Sequence, residues 1–217
     1  MNKITIIGSG SVGSTIAYTA TVMGLASDIV MIDINEEKAL GEALDIRQGI
    51  PFCNPATVRA GSYQDAVDSD IVIITSGLPR KPGQTRLDLA QANVNIMKSI
   101  ATEIVKYAPK ATYVIVSNPV DILTYVFCKT TGIPEKRVIG SGTILDTSRL
   151  RARIAEYYSV NQKNVHAYIL GEHGDTAFVP WSIANISNVP VEDYRNAVMK
   201  SDLYPEFNRD EVEDYVR

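Results

Sequence analysis

Lys3-Ile4-Thr5-Ile6-Ile7-Gly8-Ser9-Gly10-Ser11-Val12-Gly13 is the stretch whose reading decides the fold. A short β-branched run turns through G-x-G-x-x-G into a helical pattern that continues to Met23. Each glycine answers a separate steric demand. Gly8 permits the tight turn, Gly10 the close approach of backbone to a pyrophosphate, and Gly13 the packing of helix on strand. The helix N-terminus then offers N–H groups and a positive dipole end to phosphate. A second apolar run, Asp28-Ile29-Val30-Met31-Ile32, ends in Asp33, about 20 residues beyond the loop, where a carboxylate can bond a ribose 2′-OH. Its charge would repel a 2′-phosphate, which favours NAD over NADP. A helix-capping Asp and a methyltransferase-type glycine loop are the other readings.

Outward from this unit the alternation continues. Glu36 to Gln48 reads as helix, Thr57 to Ala60 as strand, Asp70 to Thr75 as a buried strand, about Arg86 to Lys106 as a long helix, Thr112 to Val116 as strand and Pro119 to Thr131 as helix. Near-continuous apolar strands between amphipathic helices imply an α/β fold, a doubly wound parallel (Rossmann) sheet covered on both faces. Ligands gather at the carboxyl ends of such strands. Thr75-Ser76-Gly77, Ser117-Asn118-Pro119 and Gly140-Ser141-Gly142-Thr143 are polar stretches at those ends, or simply turns.

Composition narrows the partners. The 217 residues are 45% hydrophobic and 21% charged, enough for a core, and the net charge of -4 gives no reason to expect nucleic acid or an anionic membrane. No run is long and apolar enough for a transmembrane helix, and the first residues read as a strand, not a signal peptide. Cys53 and Cys128 lack metal-type spacing and read as reduced thiols of a cytoplasmic protein; no metal site is expected.

An anion site must therefore be built locally. The loop Leu78-Pro79-Arg80-Lys81-Pro82-Gly83-Gln84-Thr85-Arg86 holds three basic residues and suits a lid over an anionic substrate, or else a solvated loop. Further on, Ile144 starts a helix running toward Tyr158 in which Asp146 and Arg149 share a face. A guanidinium can hold a carboxylate by two parallel hydrogen bonds, and a carboxylate can fix the tautomer of an imidazole. A plain Asp146–Arg149 salt bridge is the competing reading. Both histidines lie in Asn164-Val165-His166-Ala167-Tyr168-Ile169-Leu170-Gly171-Glu172-His173-Gly174-Asp175, which reads as a buried strand from Val165 to Leu170 and a glycine-punctuated loop presenting His173. Imidazole titrates near working pH, so His173 is the proton-transfer candidate.

The glycine loop, Asp33, Ser117-Asn118-Pro119-Val120-Asp121, Leu145-Asp146-Thr147-Ser148-Arg149 and Gly171-Glu172-His173-Gly174-Asp175, in that order, resemble the L-lactate/malate dehydrogenase family. The resemblance implies an NAD-binding domain over residues 1–143 and an incomplete α+β substrate domain over 144–217. It implies hydride transfer between nicotinamide C4 and C2 of a small 2-hydroxy or 2-oxo acid. His173 becomes the acid/base, Asp146 its partner, Arg149 the fork for the substrate carboxylate, and Arg86 the loop residue polarising the carbonyl. Asn118 would touch substrate and the nicotinamide end. Cofactor contacts are implied at Gly8, Gly10, Val12, Gly13, Asp33, Lys38, Tyr63, Gly77, Ser99, Val116, Asn118 and Ser141. Arg151 and His166 match positions at which bacterial lactate enzymes bind fructose 1,6-bisphosphate across a subunit interface, against a surface Arg and a core His. A homo-oligomer, a tetramer in the full-length family, is implied as well.

Pro119-Val120-Asp121-Ile122-Leu123-Thr124-Tyr125 and Gly171-Glu172-His173 resemble the lactate branch, yet Arg80 stands where that branch typically carries glutamine and the malate branch arginine. A second guanidinium over the site wants a second carboxylate; with pyruvate it would be a buried unpaired charge, a penalty on the order of several kcal/mol. The whole-chain resemblance favours the lactate type, with malate and a non-catalytic NAD-binding module as alternatives. Family members run about a hundred residues beyond Arg217, so the chain is expected to be a fragment. Near its end Asn208 is placed to cap a last helix, with Glu211 three residues on.

Overall fold

The computed structural model describes residues 2–79, 83, 85–198, 203, 204 and 206–216, and of Arg86 the backbone alone. Two compact units form, Met1–Gly140 and Ser141–Arg217. The first is built from strands β1 (Lys3–Ile7), β2 (Asp28–Ile32), β3 (Thr57–Ala60), β4 (Ile71–Ile74), β5 (Thr112–Ile115) and β6 (Val138–Gly140). Between them run helices α1 (Ser11–Val22), α2 (Glu36–Gln48), α3 (Arg86–Tyr107) and α4 (Val120–Thr131). The sheet order is β3-β2-β1-β4-β5-β6, and every pairing is parallel.

The two-residue period of a strand explains why these runs are apolar throughout. Ile4, Ile6, Ile29 and Met31 pack in one cluster with Ala17 and Ala20 of α1 and Ala43 and Ile46 of α2. Their neighbours Ile7, Val30, Ile32, Val72 and Ile74 face the other way, onto Met97, Ile100 and Ile104 of α3 and Leu123 and Phe127 of α4. Both faces of the sheet are thus buried, which leaves the strand ends as the places where polar groups can gather. Asn35 caps α2 by accepting from the Lys38 N–H at 3.0 Å, Thr85 caps α3 through the Asp88 N–H at 3.1 Å, and Gly132 ends α4 in the left-handed region at φ 65°. No side chain caps α1.

The second unit holds α5 (Ile144–Tyr157), a sheet of three two-residue strands β7 (Val165–His166), β8 (Asn185–Ile186) and β9 (Val189–Pro190), and helices α6 (Tyr194–Ala197) and α7 (Arg209–Val216). Leu150 and Ile154 of α5 pack with Val165, Ala167 and Ile169 and with Val212 and Val216 of α7. Tyr158 is wholly buried among Tyr194, Tyr204 and Phe207; its hydroxyl donates to the Val191 carbonyl at 3.1 Å, and burial pushes its pKa up to about 12. Asn208 caps α7 by accepting from the Asp210 and Glu211 N–H groups at 3.0 and 3.3 Å, while the Glu211 side chain goes to Arg153 at 2.6 Å instead of back to the cap.

The strand expected from Val165 to Leu170 is corrected: only Val165–His166 pairs as strand, and Leu170 makes an isolated bridge to Phe178. The reason is that the backbone of Ile169 is taken by side chains of α5 and its cap. Its N–H donates to the Thr147 hydroxyl at 2.9 Å, and its carbonyl accepts from the Thr143 hydroxyl at 2.6 Å. The second unit begins at Ser141, whose carbonyl accepts from the Ile144 N–H of α5 at 3.1 Å. The β8–β9 hairpin turns on Ser187 and Asn188, both at positive φ, the two-residue turn whose twist suits flanking strands.

Among the described residues no helix is long and apolar enough to cross a membrane, and no cluster of His, Cys, Asp and Glu could hold a metal. Cys53 and Cys128 are free thiols; burial and the nearby Glu135 push the Cys128 thiol up.

One local device at the sheet's edge sets a pH dependence. Asp65 accepts from the Ser62 N–H at 2.8 Å, the Ser62 hydroxyl at 3.0 Å and Arg59 at 2.8 Å, which together hold its carboxyl below the ordinary value. A depressed folded-state value means stabilisation present above the unfolded value and lost as pH falls through the folded one. Asp65→Asn should therefore cost about 1 kcal/mol at neutral pH and less in acid. Urea unfolding of both proteins at neutral and acid pH checks this; an equal gap at both would contradict it.

Candidate active site

At the carboxyl end of β1 the chain turns at Gly8, φ 105°, with its N–H on the Ile32 carbonyl at 2.7 Å. A Cβ there would lie 2.7 Å from the Thr75 hydroxyl oxygen and 2.8 Å from the Ser76 nitrogen, and one on Gly13 would lie 1.8 Å from the Gly8 carbonyl oxygen. A Cβ on Gly10 would meet nothing within 4 Å. Two glycines thus let helix and strand close together, and the third leaves open space beside the uncapped start of α1. Helix N–H groups and dipole favour an anion there. The Ser9 hydroxyl is buried in the same loop without a protein partner.

The Asp33 carboxylate is held from two sides, by the Ser9 N–H at 2.6 Å and the Asn35 N–H at 2.9 Å. The glycine loop and the acid are therefore one assembly: loop backbone orients the carboxylate that would receive a ribose hydroxyl. Glycine cradle, uncapped helix and anchored acid together fit a dinucleotide with an unphosphorylated ribose.

The neighbouring strand ends are tied into this assembly. The Thr75 hydroxyl donates to the Gly8 carbonyl at 2.9 Å, and the Ser117 hydroxyl to the Ser76 carbonyl at 2.7 Å. Val116 is half-buried, its N–H on the Ile74 carbonyl at 2.9 Å, and Asn118 is exposed before a cis peptide to Pro119. Of the remaining candidates, Val12, Lys38 and Ser99 are exposed. Tyr63 is half-buried, its phenol pushed up by burial and Glu103 so that it stays a neutral donor. Gly77 packs against Asn93. Arg80 lies outside the described residues, as do Lys81, Pro82 and Gln84; Arg86 starts α3.

In the second unit Asp146 and His173 come together. Asp146 is 9% exposed; its Oδ2 lies 2.6 Å from His173 Nδ1, and its Oδ1 accepts from Arg149 Nη1 at 3.2 Å. An ionised carboxylate only accepts, so Nδ1 carries the hydrogen, and any proton exchange by the ring would run through Nε2. The salt bridge read as an alternative to this pair coexists with it. What brings residues 27 positions apart into contact is the clasp on Ile169: Thr143 and Thr147, one helical turn apart and flanking Asp146, fix the segment that leads into the histidine loop. These two threonine contacts escape sequence reading, since hydroxyls along a helix carry no pattern pointing to a distant backbone. Ser141 is half-buried beside α5. Arg151 is half-buried with Nη2 on the Gln162 carbonyl at 3.3 Å, and His166 is exposed, not in the core.

These features define a dinucleotide-binding parallel sheet followed by a unit carrying an acid–imidazole–guanidinium group. The chain belongs to the lactate/malate dehydrogenase family: residues 2–140 match its NAD binding domain and residues 143–212 its alpha/beta C-terminal domain. An L-lactate dehydrogenase of Thermoanaerobacter sp. (strain X514) is 51% identical over 201 residues, 93% of this chain and 65% of that protein. One from Clostridium perfringens (strain SM101 / Type A) is 51% identical over 197 residues, 91% of this chain and 62% of its own length. Among solved structures, the ligands-bound minor L-lactate dehydrogenase of Enterococcus mundtii superposes with a TM-score of 0.92 at 41% identity, covering 99% of this chain and 68% of the other. A malate dehydrogenase from Picrophilus torridus gives 0.87 at 35% identity, covering 99% and 65%. The chain thus spans about two thirds of the length of these relatives.

The glycine geometry separates binding from folding. Gly10→Ala should leave stability within about 1 kcal/mol of wild type and weaken NADH binding at least about tenfold, because its methyl projects toward the phosphate position. Gly13→Ala should be strongly destabilised by overlap with Gly8. Thermal unfolding and NADH fluorescence titration check both; tight NADH binding by Gly10→Ala would contradict the assignment.

Proposed function

We propose that the chain is the NAD-dependent, L-lactate dehydrogenase-type part of an enzyme that interconverts pyruvate and L-lactate. The observation that carries this is the buried Asp146 carboxylate bonded at once to His173 and Arg149. A mere nucleotide binder has no use for such a group. The bound dinucleotide supplies or accepts the hydride at nicotinamide C4. The protein's residues do the rest. Arg149 receives the substrate C1 carboxylate in a two-pronged pair, its orientation set by the bond to Asp146. The His173 imidazolium donates its Nε2 proton to the C2 oxygen as C2 gains the hydride, and takes that proton back in the reverse direction. Asp146 stabilises the imidazolium and fixes the ring. Arg86 polarises the reacting carbonyl, and Asn118 orients substrate at the nicotinamide end. Balanced, pyruvate, NADH and a proton give L-lactate and NAD.

A second reading, malate dehydrogenase, is favoured by Arg80, whose guanidinium suits the extra carboxylate of oxaloacetate. The 51% identity to L-lactate dehydrogenases supports the lactate type. Arg151 and His166 are proposed as an effector site for fructose 1,6-bisphosphate in a homo-oligomer; the exposure of His166 suits contact with a phosphate.

NADH oxidation with pyruvate, then oxaloacetate, with and without fructose 1,6-bisphosphate, tests the proposal. Faster turnover of pyruvate is expected, and His173→Asn should lower it by roughly 10²–10⁴-fold with NADH affinity little changed. NADH binding without turnover of either acid would reduce the chain to a binding module. Arg80→Gln should raise the pyruvate-to-oxaloacetate ratio; an unchanged ratio would remove Arg80 from the selectivity argument.

A further inference from the structure

Asn93 lies two turns into α3 and is 3% exposed; among the described residues the other large buried side chains of its unit are hydrophobic. A buried primary amide has donors and lone pairs to satisfy, and an apolar residue would fill the space at less cost. Its partners are backbone atoms of two different strand ends. Oδ1 accepts from the Leu78 N–H at 2.8 Å; Nδ2 donates to the Asn118 carbonyl at 2.9 Å and, at 3.4 Å, to the Leu78 carbonyl. A backbone N–H can only donate and a carbonyl only accept, so the partners fix which end of the amide is oxygen. Gly77 covers the group, a Cβ there falling 3.5 Å from Oδ1.

The position of those partners gives the contact its meaning. Leu78 is the first residue of the basic loop after β4, and that loop returns to the same helix at its cap residue Thr85. One helix therefore holds both feet of the loop. Asn118 ends the polar stretch after β5, whose Ser117 hydroxyl is bonded back to Ser76. Through Asn93 the ends of β4 and β5 and the root of the loop become one rigid piece.

We infer that Asn93 is a positioning residue for the reaction: it fixes the backbone of Asn118 for the nicotinamide end of the cofactor by tying it to the backbone of Leu78. The inference rests on the dehydrogenase reading. Asn93 acts through these two backbones and touches neither substrate nor cofactor.

Three proteins, each of these 217 residues, test it: wild type, Asn93→Asp and Asn93→Leu. Asn93→Asp keeps an acceptor for the Leu78 N–H but replaces the donor to Asn118 with a repelling oxygen. Its NADH affinity should fall about tenfold, the loss of one buried hydrogen bond, while ADP-ribose, which lacks the nicotinamide, should bind within about twofold of wild type because Asp33 and the glycine loop are untouched. Hydrogen exchange supplies a second readout. The Leu78 amide should be protected in wild type and Asn93→Asp and exchange freely in Asn93→Leu. Equal losses for NADH and ADP-ribose would make Asn93 a packing residue, and no loss for either would overturn the inference. Should Asn93→Leu fail to fold, a fast-exchanging Leu78 amide in wild type overturns it too. Failure of wild type to bind either ligand would instead sink the dehydrogenase reading itself.

Discussion

The carboxylate of Asp146 is the point on which the second unit turns. A nearly buried charge is tolerated only when its lone pairs are occupied by donors, and here the imidazole of His173 and the guanidinium of Arg149 occupy them. Neither donor is local in the sense of a cap or turn: one is on the same helix face, the other far along the chain. The burial cost of the acid therefore selects a single arrangement of α5 and the histidine loop. The threonine clasp on Ile169 works to the same end, because it removes the freedom of the segment before the loop. Core packing of Leu150 and Ile154 on Val165 and Ile169 sets the distance, and the polar bonds set the register.

In the first unit the governing constraint is different. A parallel sheet buried on both faces has nowhere to put polar chemistry except its strand ends. Those ends are irregular backbone, and irregular backbone needs partners. Thr75 on Gly8, Ser117 on Ser76 and Asn93 on Leu78 and Asn118 supply them, each a side chain bonded to a neighbouring loop. The result is a set of preorganised strand ends on which a ligand can bind without ordering that backbone first. Ser9 and Asp33 extend the same network along the glycine loop.

Much of this was legible in the sequence. The apolar runs of β1, β2, β3, β4 and β5 and the helices between them agree with the reading to within a residue or so, because a doubly covered strand leaves an uninterrupted hydrophobic signature. The glycine loop was readable because each position has a steric demand that few residues meet. Asp146, Arg149 and His173 stood out by chemistry, and the family resemblance joined them. What escaped was long-range and polar. The run Val165 to Leu170 looks like a strand, yet the backbone partners of Ile169 are the hydroxyls of Thr143 and Thr147, which no periodicity announces. The β8–β9 hairpin has strands of two residues, too short for an alternating pattern. Asn93 reads as an ordinary helix residue until the fold brings Leu78 and Asn118 against it.

The proton-transfer role of His173 depends most directly on the state of its ring. Nitrogen NMR of His173 in the NAD-bound protein, with the imidazole neutral, reports which ring nitrogen bears the hydrogen. A proton on Nδ1, coupled across to Asp146, with Nε2 unprotonated and ready to receive the substrate's hydroxyl proton, is the expected result. A neutral ring protonated at Nε2 would mean that Asp146 does not set the tautomer, and the proton-transfer role assigned to His173 would fall with it.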